Sequence, residues 1–154
     1  MSLTCLNPSM MARPLLSQDM GVSNDVIKKI IGGSAPVTLA LHFGYVDVRD
    51  VAEAHIQAMK NQISDGKRLI VSEREIWLKD LADLLGNKKA PRVELPNFCI
   101  RIFSLLSKEL RSVSKKLSQK RTTLASRAKR ILAWLPRDAR NSILESAQQI
   151  CELR

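Results

Sequence analysis

A chain of 154 residues, 45% hydrophobic and 26% charged, is long enough to build one domain around a sizeable core, which excludes a disordered or collagen-like polymer. Its formal charge of +10 sits wholly in the second half: residues 1–80 hold nine basic and nine acidic side chains, residues 81–154 sixteen and six. Cys5, Cys99 and Cys151 are odd in number and far apart, which excludes a disulfide framework or a paired zinc site and points to reduced thiols. Residues 1–16 lack the basic start and apolar stretch of a signal peptide, and the apolar region 98–106 is broken by Arg101, well short of the roughly 20 residues that span a bilayer. The expected location is cytoplasmic.

Taken in chain order, Ser2 to Leu6 reads as a short strand that stops at Asn7-Pro8, because proline cannot donate to a ladder. Residues 9–21 read as a loop, and Ser23-Asn24-Asp25 offers caps to a helix over 26–31 that Gly32-Gly33 closes. Val37 to Phe43 favours an extended segment. Asp47 then stands as a helix cap, with Asp50 three residues on in the manner of a capping box. In that helix Val48, Val51, Ala52, His55 and Met59 recur at three- and four-residue steps and are expected to face a core. Ser64-Asp65-Gly66 is a turn, and Lys67 to Ser72 is a strand.

Trp77 to Leu85 has a helical apolar face ended by Gly86, and Pro91 and Pro96 make 88–97 an extended connector. Helical spacing from Cys99 to Leu117 predicts a long amphipathic helix. Short helices are expected over 128–134 and 138–153, the second burying Ile143, Leu144, Ala147 and Ile150. This divides the chain into an α/β part, residues 1–86, and a basic helical lobe, residues 87–154.

Few residues offer chemistry. His55 lies on an apolar stripe and reads as a satisfied core histidine; His42 has no partner at metal or nucleophile spacing, so neither a metal site nor a catalytic residue is assigned. Between Lys108 and Arg130, nine basic residues face the single acid Glu109, a pattern that can mark an interaction module for nucleic acid or an anionic membrane. No aromatic occurs from Ser104 to Ala133 to stack on bases, which argues against such partners and for a solvated face.

Four segments in order carry a resemblance. They are Leu6-Asn7-Pro8-Ser9 with Arg13-Pro14; Tyr45-Val46-Asp47-Val48-Arg49-Asp50-Val51-Ala52-Glu53-Ala54-His55; Gly66-Lys67-Arg68-Leu69-Ile70-Val71-Ser72; and Ser126 through Trp134-Leu135-Pro136-Arg137-Asp138. Together the chain resembles the C-terminal half of an extended short-chain dehydrogenase/reductase, in the dihydroflavonol-reductase-like branch that also includes many bacterial nucleoside-diphosphate-sugar epimerase-like proteins. The resemblance implies an α/β fragment of a Rossmann-type fold: two parallel sheet strands plus a mostly helical substrate-side lobe.

It also implies NAD or NADP as cofactor and hydride transfer at a carbonyl or alcohol carbon of a small molecule. Asn7, Pro8 and Ser9 would border the nicotinamide ring, and Leu15 and Leu16 would head toward the substrate pocket. The family's Gly-rich phosphate loop and its Tyr/Lys catalytic pair have no counterpart in these 154 residues. Tyr45 and Arg49 share the pair's spacing, but Tyr45 stands where the family has phenylalanine and Arg49 belongs to the Val-Arg-Asp motif. Arg13 and Ala133 replace family glycines. The chain alone is expected to be inactive, to require a companion chain or N-terminal half, and to self-associate through uncovered strand edges.

Overall fold

A computed structural model describes residues 3–12, 21–33, 40–86 and 125–152. Leu15, Leu16, the expected helix from Cys99 to Leu117 and most of the basic segment from Lys108 to Arg130 lie outside them.

The elements are β1 (Cys5–Pro8), β2 (Met10–Ala12), α1 (Gly21–Ile31), β3 (His42–Asp47), α2 (Val48–Lys60), a 3-10 turn (Gln62–Ser64), β4 (Arg68–Val71), β5 (Arg74–Trp77), α3 (Leu78–Leu84), α4 (Ser126–Leu132) and α5 (Ala139–Glu152). β1 and β4 run parallel, with Cys5 opposite Arg68 and Pro8 opposite Val71. A second, three-stranded sheet has the order β2-β3-β5, parallel between β2 and β3 and antiparallel between β3 and β5. The expected parallel pair is therefore present, and a mixed sheet the sequence reading lacked stands beside it.

Two cores result. On β3, alternation sends Tyr45 into a core with Ala12, Ile27, Leu81 and Ile143, drawn from β2, α1, α3 and α5. Val46, its neighbour, enters the other core with Val51, Leu69, Val71 and Trp134, under α2 and α4. Leu69 and Val71 face inward on β4 while Arg68 is exposed, so a single face of the parallel pair is packed.

Several expectations need correction. The first strand extends through Pro8 because the amides of Cys5 and Ser9 donate to Lys67 O and Val71 O at 2.9 and 3.0 Å. Alternation then turns the Pro8 nitrogen to the opposite edge, where a missing N–H breaks no bond to β4. Met10–Ala12, read as loop, pairs with β3, and Arg74–Trp77 forms β5, so that Trp77, expected to open a helix, ends a strand instead. α1 begins at Gly21, so Asn24 is not a cap but a buried helical residue.

The stripe on α2 is also different. Its buried positions are Asp50, Val51, Ala54 and Ala58, whereas Met59 is 81% exposed and His55 lies on the surface, its Nδ1 2.8 Å from Val51 O. Alanines let the helix lie close to the strand beneath it; the longer side chains turn outward. On α5, Ile143, Ala147 and Ile150 are buried as expected, but Leu144 is exposed.

α4 ends at Ala133, whose φ of 47° and ψ of 35° are left-handed, while the Trp134 amide closes the turn on Lys129 O at 3.2 Å. A Cβ there costs about 1 kcal/mol, which glycine avoids. Ala133→Gly is accordingly expected to stabilise the fold by about 0.5–1 kcal/mol, read as a higher urea midpoint. An unchanged or lowered midpoint contradicts the left-handed stop.

Candidate functional site

Ligands of open α/β sheets gather at the carboxyl ends of parallel strands, and here those ends are Asn7-Pro8-Ser9 and Val71-Ser72. Parallel register places Asn7 opposite Ile70, and by continuation Ser9 opposite Ser72, all on the face of the pair away from Leu69 and Val71. Asn7, Pro8, Ser9, Arg68, Ile70 and Arg127 line a groove of about 520 Å³ on this side.

Three polar atoms at these strand ends are shielded and have no hydrogen-bond partner: Asn7 Nδ2, Ser9 Oγ and Ser72 Oγ. The Asn7 amide is engaged only through its oxygen, 3.7 Å from the Cys5 thiol. A buried donor without a partner costs roughly 1–3 kcal/mol, so three together mark a place where a ligand or water completes the bonding. The chemistry of the set is recognition, not proton transfer: an amide and two hydroxyls with no base or acid at hand.

The sequence reading assigned Asn7, Pro8 and Ser9 to cofactor contact, and the fold brings them to one strand end. It did not single out Ser72, Arg68 or Arg127. Ser72 was detectable in principle, since it follows the last residue of β4 and a parallel partner must set it level with Ser9; the position of Arg127 comes from tertiary packing.

An ionic network built on two buried carboxylates, Asp47 and Asp50, holds the start of α2. The Asp47 side chain accepts from the Arg49 amide at 2.7 Å and caps α2, as expected; it also accepts from Arg49 Nη2 at 2.6 Å and from Ser142 Oγ at 2.5 Å. Burial pushes its carboxyl up, but these hydrogen bonds from Arg49 and Ser142 outweigh that and hold it at about 2. Asp50 is turned away from a capping-box role: its Oδ2 accepts from the Arg137 amide at 2.8 Å, and its own carbonyl accepts from Trp134 Nε1 at 3.0 Å. Burial moves the Asp50 carboxyl up, against the opposing Arg137 bond. Asp50 thus ties the start of α2 to the segment 134–137.

Tyr45 is fully buried and burial pushes its phenol far above the usual value, while Arg49 is committed to Asp47 and Glu145; the two do not form an acid pair. His42 is buried against Trp77, ring centroids 4.5 Å apart. Among the described residues no group of His, Cys, Asp and Glu has the arrangement to hold a metal, and no helix is long and apolar enough to cross a membrane.

No model of a known protein family matches the chain. Among curated proteins it is 33% identical over 97 residues to cinnamoyl-CoA reductase CAD2 of Medicago truncatula, a match covering 63% of this chain and 29% of that protein. It is 49% identical over 43 residues to the NADPH-dependent methylglyoxal reductase GRE2 of Saccharomyces cerevisiae, covering 28% and 13%. Among solved structures, gox2253 superposes with a TM-score of 0.77 at 22% identity, over 96% of this chain and 48% of that one. Yeast methylglyoxal/isovaleraldehyde reductase Gre2 complexed with NADPH gives 0.67 at 23% identity, over 99% and 44%. The chain thus spans under a third of these curated relatives and about half of these solved structures. It is similar in sequence to part of these reductases, and it shares the α/β fold of the solved structures over about half of their length.

Proposed function

We propose that this chain supplies the cofactor-facing strand end and part of the substrate wall of an NAD(P)-dependent reductase acting on a small-molecule carbonyl, and that the chain by itself does not catalyse. The observation that carries this is the trio of shielded, unpartnered polar atoms, Asn7 Nδ2, Ser9 Oγ and Ser72 Oγ, at the carboxyl ends of a parallel strand pair. These residues fit the nicotinamide end of a dinucleotide, with Asn7 and the two serines meeting its polar groups and Ile70 supplying an apolar wall. When bound, the cofactor provides the hydride. Leu15 and Leu16, outside the described residues, are assigned to the substrate side by the same resemblance. Binding, orientation and exclusion of water are the chain's share; a phosphate-binding loop and an acid for the carbonyl oxygen must come from elsewhere.

NADPH is the first cofactor to try, because the yeast relative is NADPH-dependent. The test grafts this chain into yeast Gre2 in place of the matching stretch. Asn7→Leu in the graft is expected to weaken NADPH binding about tenfold, the loss of one hydrogen bond to the cofactor. The same substitution should not destabilise the cofactor-free protein, since Nδ2 has no protein partner to lose and a shielded donor without one is itself unfavourable. An unchanged NADPH affinity removes Asn7 from the site.

A further inference from the structure

Arg68 and Arg127 share the groove of about 520 Å³ with Asn7, Pro8, Ser9 and Ile70, and among the described residues no acid lines it. Arg68 precedes Ile70 by two residues on β4, so pleating puts both side chains on the groove side of the strand pair, with Cys5 opposite the first and Asn7 opposite the second. Arg127 comes from α4, which is seated by Ala128 and Leu132 in the core with Leu69 and Val71, and by Asn61 Nδ2, which donates to Ile131 O at 2.6 Å. Both guanidiniums therefore stand on packed elements.

Arg49, Arg74 and Arg137 each face a carboxylate: Asp47 and Glu145, Asp138, and Asp50. Arg68 and Arg127 have no such partner among the described residues. Two cations held beside one groove repel each other, and an anion between them relieves that. The other polar atoms of the groove have the same sense. Asn7 Nδ2 can only donate, Ser9 Oγ has no partner and is free to donate, and both are shielded from solvent. A guanidinium likewise offers donors and no acceptor. A ligand that completes such a set must be rich in acceptors; an amine would leave donors facing donors. Pro8 and Ile70, 37% exposed, add an apolar floor.

Resting on the functional reading above, we infer that this groove is an oxyanion subsite, which takes the carboxylate or phosphate of an organic molecule whose apolar part lies on Ile70 and Pro8. Arg68 and Arg127 hold the anion, and Asn7 and Ser9 complete its hydrogen bonds. The planar fork of arginine matches paired carboxylate or phosphate oxygens, which a lysine in the same place would meet only as a point charge. Two molecules of the reaction can bear that anion: the cofactor, through its phosphates, or a carbonyl substrate that carries a carboxylate. Methylglyoxal, named for the yeast relative, has neither group, so an anionic substrate would set this chain apart from it.

The full chain is titrated calorimetrically with inorganic pyrophosphate and with benzoate at constant ionic strength. Expected is saturable binding of one or both, weakened at least about fivefold by Arg68→Gln and by Arg127→Gln, each an exposed side chain whose loss leaves the urea midpoint in place. Arg130→Gln, on the same helix but outside the groove, should leave binding unchanged. No saturable binding, undiminished binding by the Arg68 and Arg127 variants, or an equal loss in Arg130→Gln overturns the subsite. The graft into yeast Gre2 then tells the two bearers apart. If the cofactor bears the anion, Arg68→Gln raises the Kd for NADPH about fivefold and spares the ratio of KM for phenylglyoxylate to KM for methylglyoxal; if the substrate bears it, the Kd holds and that ratio rises about fivefold. Both unchanged in a graft that binds NADPH overturns the subsite and keeps the functional reading. A graft that binds no NADPH, beside a chain that binds the probes through Arg68 and Arg127, does the reverse.

Discussion

Trp134→Ala is expected to cost about 3–5 kcal/mol, a large part of the 5–15 kcal/mol that holds an ordinary domain together. Trp134 is 1% exposed, the largest fully buried side chain among the described residues, and it fills the core formed by Val46, Val51, Leu69 and Val71. Its indole N–H also donates to the Asp50 carbonyl, joining the segment after α4 to the first turn of α2. Alanine removes both the volume and the bond. Phenylalanine keeps most of the volume, so Trp134→Phe should lose only about 1–2 kcal/mol. Urea unfolding followed by circular dichroism separates the two; equal, small losses would mean that this core is not packed as described.

Asp47→Ala is expected to be nearly as damaging, at about 3 kcal/mol. The carboxylate caps α2, pairs with Arg49 and accepts from Ser142, and these contribute roughly 1 kcal/mol each. Arg49 is half exposed, which keeps its share at the low end. The acid titration gives an independent route. A carboxyl lowered from its usual 3.8 to about 2 contributes stability that is present above 3.8 and lost as pH falls toward 2. By linkage that difference is worth about 2 kcal/mol.

Asp50 has the opposite sign: its raised carboxyl favours the fold at low pH and loses that advantage as pH rises through its folded value. The wild-type chain should therefore weaken between about pH 4 and pH 2 through Asp47, whereas the contribution of Asp50 changes above that window, where stability rises as pH falls. Asp47→Asn, which retains a cap, should flatten that limb. An unchanged acid slope in Asp47→Asn would show that the network does not hold this carboxyl down.

How far the sequence discloses the structure depends on whether local chemistry or tertiary pairing decides each piece. Asp47 as a cap, Gly66 with its φ of 70°, and the strand 68–71 follow from rules that act within a few residues. The short strands Met10–Ala12 and Arg74–Trp77 do not, because three or four residues carry no readable period and gain their conformation from β3 lying between them. Pro8 reads in sequence as a strand stop; it is tolerated because its nitrogen faces away from β4.

On α2 the apolar count favoured Met59 and His55 over Ala54 and Ala58, whereas packing distance favoured the alanines. Asn7, Pro8 and Ser9 were reachable only through family resemblance, since nothing in their spacing announces a site. What the fold adds to them is the level partner Ser72 and the absence of hydrogen-bond partners at the strand ends.

The most direct test of the account is NADPH oxidation with methylglyoxal by the isolated chain and by the same chain grafted into yeast Gre2. No turnover is expected from the chain alone, and NADPH-dependent turnover from the graft. Turnover by these 154 residues unaided, or a folded graft that neither binds NADPH nor turns over, would contradict it.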